Sequence, residues 1–263
     1  MPPTTAETGF WGEVTSTIDW CENNYEVHHY IAEFWNTVSN CLLIIPAITG
    51  LVLSIKDKAE TRFILCYIGL LVVGLGSWCF HMTLRYEMQL LDELPMLWGG
   101  SCLIYSIIEV GAKPNVHNKT VIAVLTSYCS IVTLIYLISP QSLLFQLAFG
   151  LLVTINMLAP LPLFRKYQYS KGLAVASYVA YFSAFLVWII DTNFCPHVRL
   201  FRENMFSPIR PFTQLHAWWH AGAGMGTYMA TTFTLHARGL YLKKNAQLKI
   251  AYGMVYVRQD KSP

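Results

Sequence analysis

Two histidines four residues apart, His216 and His220 in QLHAWWHA, share one face of any helix that holds them. Such a pair can bind zinc from one side. It can equally be part of a hydrogen-bonded polar cluster, with Trp218 and Trp219 as anchors at a membrane–water boundary. The pair alone does not decide. A third imidazole at the same depth would give the ligand set of a catalytic zinc with its fourth position open, and His81 in SWCFHM is the candidate. Ser77 precedes His81 by four residues and shares its helical face. It reads either as a small residue for helix packing or as a donor to a developing oxyanion. Asp92 in LLDELPM reads as a charge favoured at a helix N-terminus or as a general base. Glu93 beside it reads as interfacial. His28, His29, His117, His197 and His236 fall in loops or flanks and receive no role.

The elements that must position these groups are membrane helices. Of 263 residues, 54% are hydrophobic and 13% charged, against about 25% charged in soluble domains. Mean hydropathy is +0.41. Seven apolar blocks approach the roughly 20 residues that cross a bilayer, at about 35–55, 63–83, 90–110, 120–138, 143–163, 173–191 and 213–235. Backbone polar groups cannot be left unpaired in lipid, so these blocks are expected to be helices. The fold class is all-α, a bundle of seven transmembrane helices. Prolines 46, 95, 160 and 162 mark kinks or ends. MPPTTAETGFWGEV has neither the basic start nor the apolar run of a signal peptide, so the first helix is expected to direct insertion.

Charge sets the orientation. All 18 Lys and Arg lie after residue 55, whereas the chain before it carries Glu7, Glu13, Asp19, Glu22, Glu26 and Glu33. Apart from Arg85, Arg199, Arg202 and Arg210, every base falls on one side of a seven-span arrangement, including the tail from Arg238 to Lys261. The positive-inside rule then places the N-terminus in the lumen and the C-terminus in the cytosol. Three regions follow: an acidic lumenal segment (1–34), the helical domain (35–236) and a basic cytosolic tail (237–263). In this arrangement Ser77, His81, Asp92, Asp191, His216 and His220, carried by four helices, meet at one membrane depth. Ionisable residues inside spans are costly and mark functional sites by default.

The segment DWCENNYEVHHYIAEFWN (19–36) is a second constellation. Asp19, Glu22, Asn24 and Glu33 supply oxygen ligands of the kind a calcium ion takes. The spacing is not that of an EF-hand, and a solvated acidic segment is the alternative. Cys21 and Cys195 both fall in non-membrane stretches on the lumenal side, the second in the loop 192–212, where a disulfide can persist.

The runs DWCENNY, YIAEFWNTVSN, GSWCFHMTLRYEMQLLDELPM and TQLHAWWH closely resemble the alkaline ceramidases, seven-helix intramembrane hydrolases of the endoplasmic reticulum and Golgi. The branch acting on long-chain unsaturated ceramides and phytoceramides is the nearest match. The resemblance implies a zinc held by His81, His216 and His220, with Ser77 and Asp92 catalytic. It implies a calcium site from Asp19, the Trp20 backbone carbonyl, Glu22, Asn24 and Glu33, and it supports a Cys21–Cys195 bridge. The expected reaction is hydrolysis of a ceramide-class lipid to a sphingoid base and a fatty acid by a zinc-activated water, stimulated by calcium. An acyl-enzyme on Ser77 is the alternative route. No nucleic acid and no obligate protein partner is implied. A zinc-binding receptor like those for adiponectin and progestins is the competing function, but its N-terminus is cytosolic.

Overall fold

The computed structural model describes residues 9–166 and 170–259. Residues 1–8, which include Glu7, and 260–263, which include Lys261, lie outside the described residues, as do 167–169. The helices in chain order are α1 (Phe34–Ser39), α2 (Cys41–Lys56), α3 (Thr61–Thr83), α4 (Tyr86–Ile108), α5 (Lys119–Ile138), α6 (Ser142–Leu158), α7 (Leu161–Lys166), α8 (Lys171–Asn193), α9 (Cys195–Asn204) and α10 (Leu215–Tyr241). Among the described residues, six stretches are long and apolar enough to cross a membrane: Phe34–Lys56, Thr61–Thr83, Tyr86–Gly111, Lys119–Ile138, Ser142–Arg165 and Lys171–Asn193. The chain is a multi-pass membrane protein.

The seventh expected span, 213–235, corresponds to α10, which starts two residues later at Leu215 and runs on to Tyr241. That helix has 27 residues, about 40 Å at 1.5 Å per residue, so it is long enough. It is not among the stretches that reach the required apolarity. The reason lies in its surroundings. Thr231, Thr232, Thr234, His236 and Arg238 are all buried, so most of its polar groups face protein rather than lipid. Gly222 faces Ala184 of α8 and Gly224 faces Leu43 of α2, with no room for a side chain at either. Small residues of this kind let helices approach closely, and α10 is wedged between α2 and α8.

Three expectations need local amendment, while the first expected span stands as Phe34–Lys56. The fold is not all-α: the tail forms a β-hairpin of β1 (Gln247–Ala251) and β2 (Met254–Arg258). Its two-residue turn has Tyr252 at φ 53° and Gly253 at φ 74°, the paired positive φ of a type I′ hairpin. The Tyr-Gly pair between apolar residues at alternate positions was the sequence signal for it. The hairpin docks on the bundle, where Tyr228 donates its hydroxyl to the Val255 carbonyl at 2.8 Å. Second, the first apolar block is split between α1 and α2 at Asn40, whose side-chain amide donates to the Asn36 carbonyl at 3.0 Å. Third, the stretch 192–212 is largely helical, through α9 and a 3₁₀ turn at Ser207–Thr213.

One end of the bundle is built to hold a site. Only Leu84 and Arg85 join α3 to α4, with Leu84 left-handed at φ 50° and buried. A Cβ on Gly76 would run into the Leu91 carbonyl oxygen, so the two helices touch backbone to backbone beside Ser77 and Asp92. The N-terminal segment then folds over this end. Thr15 and Ser16 donate N–H groups to the Leu84 carbonyl at 3.2 and 3.1 Å, and Ala32 donates to the Met82 carbonyl at 2.9 Å. The other end is braced by buried Arg238, which donates to Glu60 at 2.8 Å and to the Val110 carbonyl at 3.0 Å.

Candidate metal centre

His81 comes from the last turn of α3, and His216 and His220 from the first turns of α10. All three are buried, and their ligand atoms lie within 4.8 Å of one another. Among the described residues this is the one group of three or more His, Cys, Asp or Glu that closes in this way.

Each ring keeps one nitrogen for an ion. His81 Nδ1 is bonded to a Glu33 carboxylate oxygen, which leaves Nε2 buried without a protein partner. His220 Nδ1 lies 2.8 Å from Ser39 Oγ, and that hydroxyl sits 2.9 Å from the Asn36 carbonyl. A carbonyl only accepts, so Ser39 gives its proton to Asn36 and takes the one on His220 Nδ1. That assignment from the hydrogen-bond network puts the lone pair of His220 on Nε2. His216 leaves Nδ1 buried and unpartnered, with its ring stacked under Trp20 at 3.8 Å. Carboxylate and hydroxyl partners that fix a histidine's tautomer are the usual surroundings of a metal ligand. The donor set therefore fits a zinc ion.

Ser77 Oγ lies 3.5 Å from His220 Nε2, and its hydroxyl is within hydrogen-bonding reach of the Asp92 carboxylate. A serine thus stands between a metal-ligand candidate and a carboxylate, and all of these groups sit at the same end of the bundle. Glu93 is not interfacial. It is buried, accepting from the Tyr136 hydroxyl at 2.6 Å and the Gln89 amide at 3.0 Å.

The acidic set lies directly outside. The Asp19 carboxylate lies next to the Glu33 carboxylate and the Asn24 side chain, and Asn24 Oδ1 is buried without a protein partner. Burial, and next the nearby Asp19 and Glu22 carboxylates, push Glu33 well above the usual carboxylate range. Clustered acids of this kind suit a hard cation, which would offset both costs. Glu22 is only partly available. Its two carboxylate oxygens accept the backbone N–H groups of Trp35 at 2.7 Å and Asn36 at 2.8 Å, closing the start of α1. The Trp20 carbonyl also accepts from Arg199 at 3.5 Å. Cys21 and Cys195 form a disulfide with Cα atoms 5.3 Å apart, tying this segment to α9.

Sequence reasoning passed over Ser39, Arg199 and Arg202, and placed Asp191 at the depth of the site without a task. Ser39 orients His220. Asp191, buried at the end of α8, accepts from the Cys21 backbone N–H at 3.2 Å and from that of His216, so it joins the N-terminal segment to the start of α10. Arg199 and Arg202 hold the Cys21 carbonyl at 3.1 and 3.0 Å. Ser39 lay in an already recognisable run without a spacing signal. The bonds of Asp191 and the arginines to Cys21 join residues 170 to 181 positions apart in the chain, and all of them pass through backbone atoms of Cys21.

A family model described as Ceramidase matches residues 12–259. Alkaline ceramidase 3 of Mus musculus is 42% identical over 255 residues, covering 97% of this chain and 96% of that protein. Alkaline ceramidase YPC1 of Saccharomyces cerevisiae is 32% identical, covering 91% and 82%. An alkaline ceramidase of Arabidopsis thaliana is 31% identical, covering 97% and 96%.

Proposed function

Because the chain belongs to the alkaline ceramidase family, we propose that it is an intramembrane zinc-dependent amidase that hydrolyses ceramide to a sphingoid base and a fatty acid. The observation that carries this reading is the buried triad of His81, His216 and His220, with His81 Nε2 and His216 Nδ1 unpartnered and His220 Nε2 3.5 Å from the Ser77 hydroxyl, beside Asp92. The 42% identity to an alkaline ceramidase favours a hydrolase over a zinc-binding receptor.

A zinc held by the three imidazoles would supply a Lewis acid that polarises a carbonyl and makes water acidic. The chain's own residues do the rest. The Asp92 carboxylate takes a proton from the attacking water and returns it to the leaving nitrogen. The Ser77 hydroxyl, placed between Asp92 and His220, donates to the carbonyl oxygen as charge develops there. Trp20 and Trp188, 6.5 Å apart, and Trp219 against Trp188 at 6.2 Å form an aromatic wall next to His216 that keeps bulk water out. Glu33 holds His81 Nδ1, and Ser39 holds His220 Nδ1, so the ring nitrogens stay aimed at one point.

Asp19, the Trp20 carbonyl, Asn24 and Glu33, with Glu22 sharing its oxygens between ion and helix, form a calcium site in this reading. Occupancy there would order Glu33 and through it His81, which is how calcium would stimulate turnover. With α10 as the seventh span and the bases gathered at the far end, the N-terminal segment faces the lumen of the endoplasmic reticulum or Golgi and the tail faces the cytosol.

The decisive experiment measures zinc content and sphingoid-base release from labelled ceramide on the same purified protein. Near-stoichiometric zinc and release are expected. His81→Ala, His216→Ala and His220→Ala should each lose both while the protein remains folded. Full zinc and full activity in any one of them would exclude the triad.

A further inference from the structure

The segment after α8 is turned inside out for a loop in water. Arg199 and Arg202 of α9 point inward, onto the Cys21 carbonyl, and Arg202 also donates to Thr213 Oγ1 at 3.1 Å. Arg202 is only 4% exposed. Leu200 and Phe201 point the other way, and Phe206, just before the following 3₁₀ turn, and Ile209 and Phe212 within it join them, Phe201 at 57% and Phe206 at 73% exposure. In water the preference is the reverse: burying apolar surface gains about 25 cal/mol per Å², while arginines are mostly left outside. An apolar medium beyond this face removes the contradiction.

The face also continues surfaces that meet lipid. Phe194, 52% exposed, follows α8 directly and extends past Ile190 on that helix. Trp218 of α10, also exposed, donates its indole N–H to the Phe212 carbonyl at 3.0 Å. The 10 residues of α9 are too few to cross a bilayer, which takes about 20. Exposed His197, Glu203, Asn204 and Arg210 are interspersed with the apolar residues, the mixture expected of an element lying along the headgroup boundary.

We propose that residues 194–212 are an in-plane membrane anchor whose Leu200, Phe201, Phe206, Ile209 and Phe212 face is seated in the acyl chains of the leaflet next to the metal centre. The occupant is lipid rather than a partner protein, because the face runs on from the lipid-facing sides of α8 and α10. Through Arg199 and Arg202 this anchor holds the carbonyls of Cys21 and its neighbours. The bilayer thereby fixes the segment that carries the acidic site, independently of the reaction catalysed.

The test uses the full chain in phosphatidylcholine nanodiscs with p-benzoylphenylalanine in place of Phe201 or Phe206. The same residue in place of Phe182 of α8, 64% exposed, is the reference. Irradiation and mass spectrometry should find phospholipid adducts at Phe201 and Phe206 within about threefold of the reference yield. A lower yield at both, or adducts to a second copy of the chain, overturns the anchor. Hydroxyl-radical footprinting of the unsubstituted chain gives an independent readout. Phe206 and Phe212 should be oxidised as slowly as Phe182; rates matching those of the unfolded chain overturn it.

Discussion

The Glu33 carboxylate is bonded to His81 Nδ1 in a fully buried pair, and with the Glu33 backbone N–H on the His81 carbonyl at 2.9 Å it joins the acidic segment to the imidazole triad. Glu33 also accepts the Trp20 backbone N–H at 3.3 Å and the Asn36 amide at 3.3 Å. It is thus a shared element of both candidate metal sites. Glu33→Gln should lower zinc affinity by about 10- to 100-fold, the usual cost of losing such a partner, and weaken calcium binding with it. Competition with a calibrated chelator measures the first, and calorimetry the second. Zinc affinity equal to the parent's would show that Glu33 does not support His81.

Ser39 should act on zinc alone. Ser39→Ala leaves His220 Nδ1 without its hydroxyl partner and should cost about tenfold in zinc affinity, with calcium binding unchanged. Ser39→Thr restores the hydroxyl and should restore affinity. Failure of the threonine to do better than the alanine would point to packing instead.

Glu22 has a mechanical task apart from any ion. Its carboxylate closes the start of α1, and loss of a helix cap costs about 0.5–2 kcal/mol. Glu22→Ala should therefore lower the melting temperature even with calcium chelated. A melting temperature unmoved in chelator would assign the residue to the ion only.

Calcium binding should strengthen as pH rises. Burial pushes Glu22 up to about 7 from an ordinary 4.5, and Asp19 and Glu33 are raised in the same direction, by burial first. An acid raised in the folded state holds its proton more tightly there. The metal-free fold is accordingly favoured below about 4.5 and loses that contribution as pH climbs through about 7. Calcium must displace the proton, so affinity should climb over the same window and proton release should accompany binding. Calorimetry in buffers of different ionisation enthalpy reads both; a flat affinity from pH 5.5 to 8, about one unit or more either side of the shifted value, would contradict the assignment.

Asp92 and Ser77 should separate chemistry from metal loading. Asp92→Asn should lose about 10²–10⁴ in turnover and Ser77→Ala about 10²–10³, each with zinc retained. No acyl adduct should form on Ser77 during turnover, and mass spectrometry of the quenched enzyme would detect one.

The sequence by itself determined a good deal. Apolar blocks of bilayer length exposed the membrane helices, because lipid forbids unpaired backbone groups. Helical spacing put His216 beside His220 and Ser77 beside His81, and long coincident runs carried the family. Tertiary structure decided the rest. Only packing shows that α10 can be polar because it is enclosed, and that Glu33 reaches His81 across 48 positions of the chain. The same holds for Glu22, which caps a helix that begins 12 residues later, and for the arginines of α9, which face inward. Composition records what a residue prefers in water. Which neighbour or which medium it meets depends on how distant segments and the bilayer surround it, and that is a property of the folded chain.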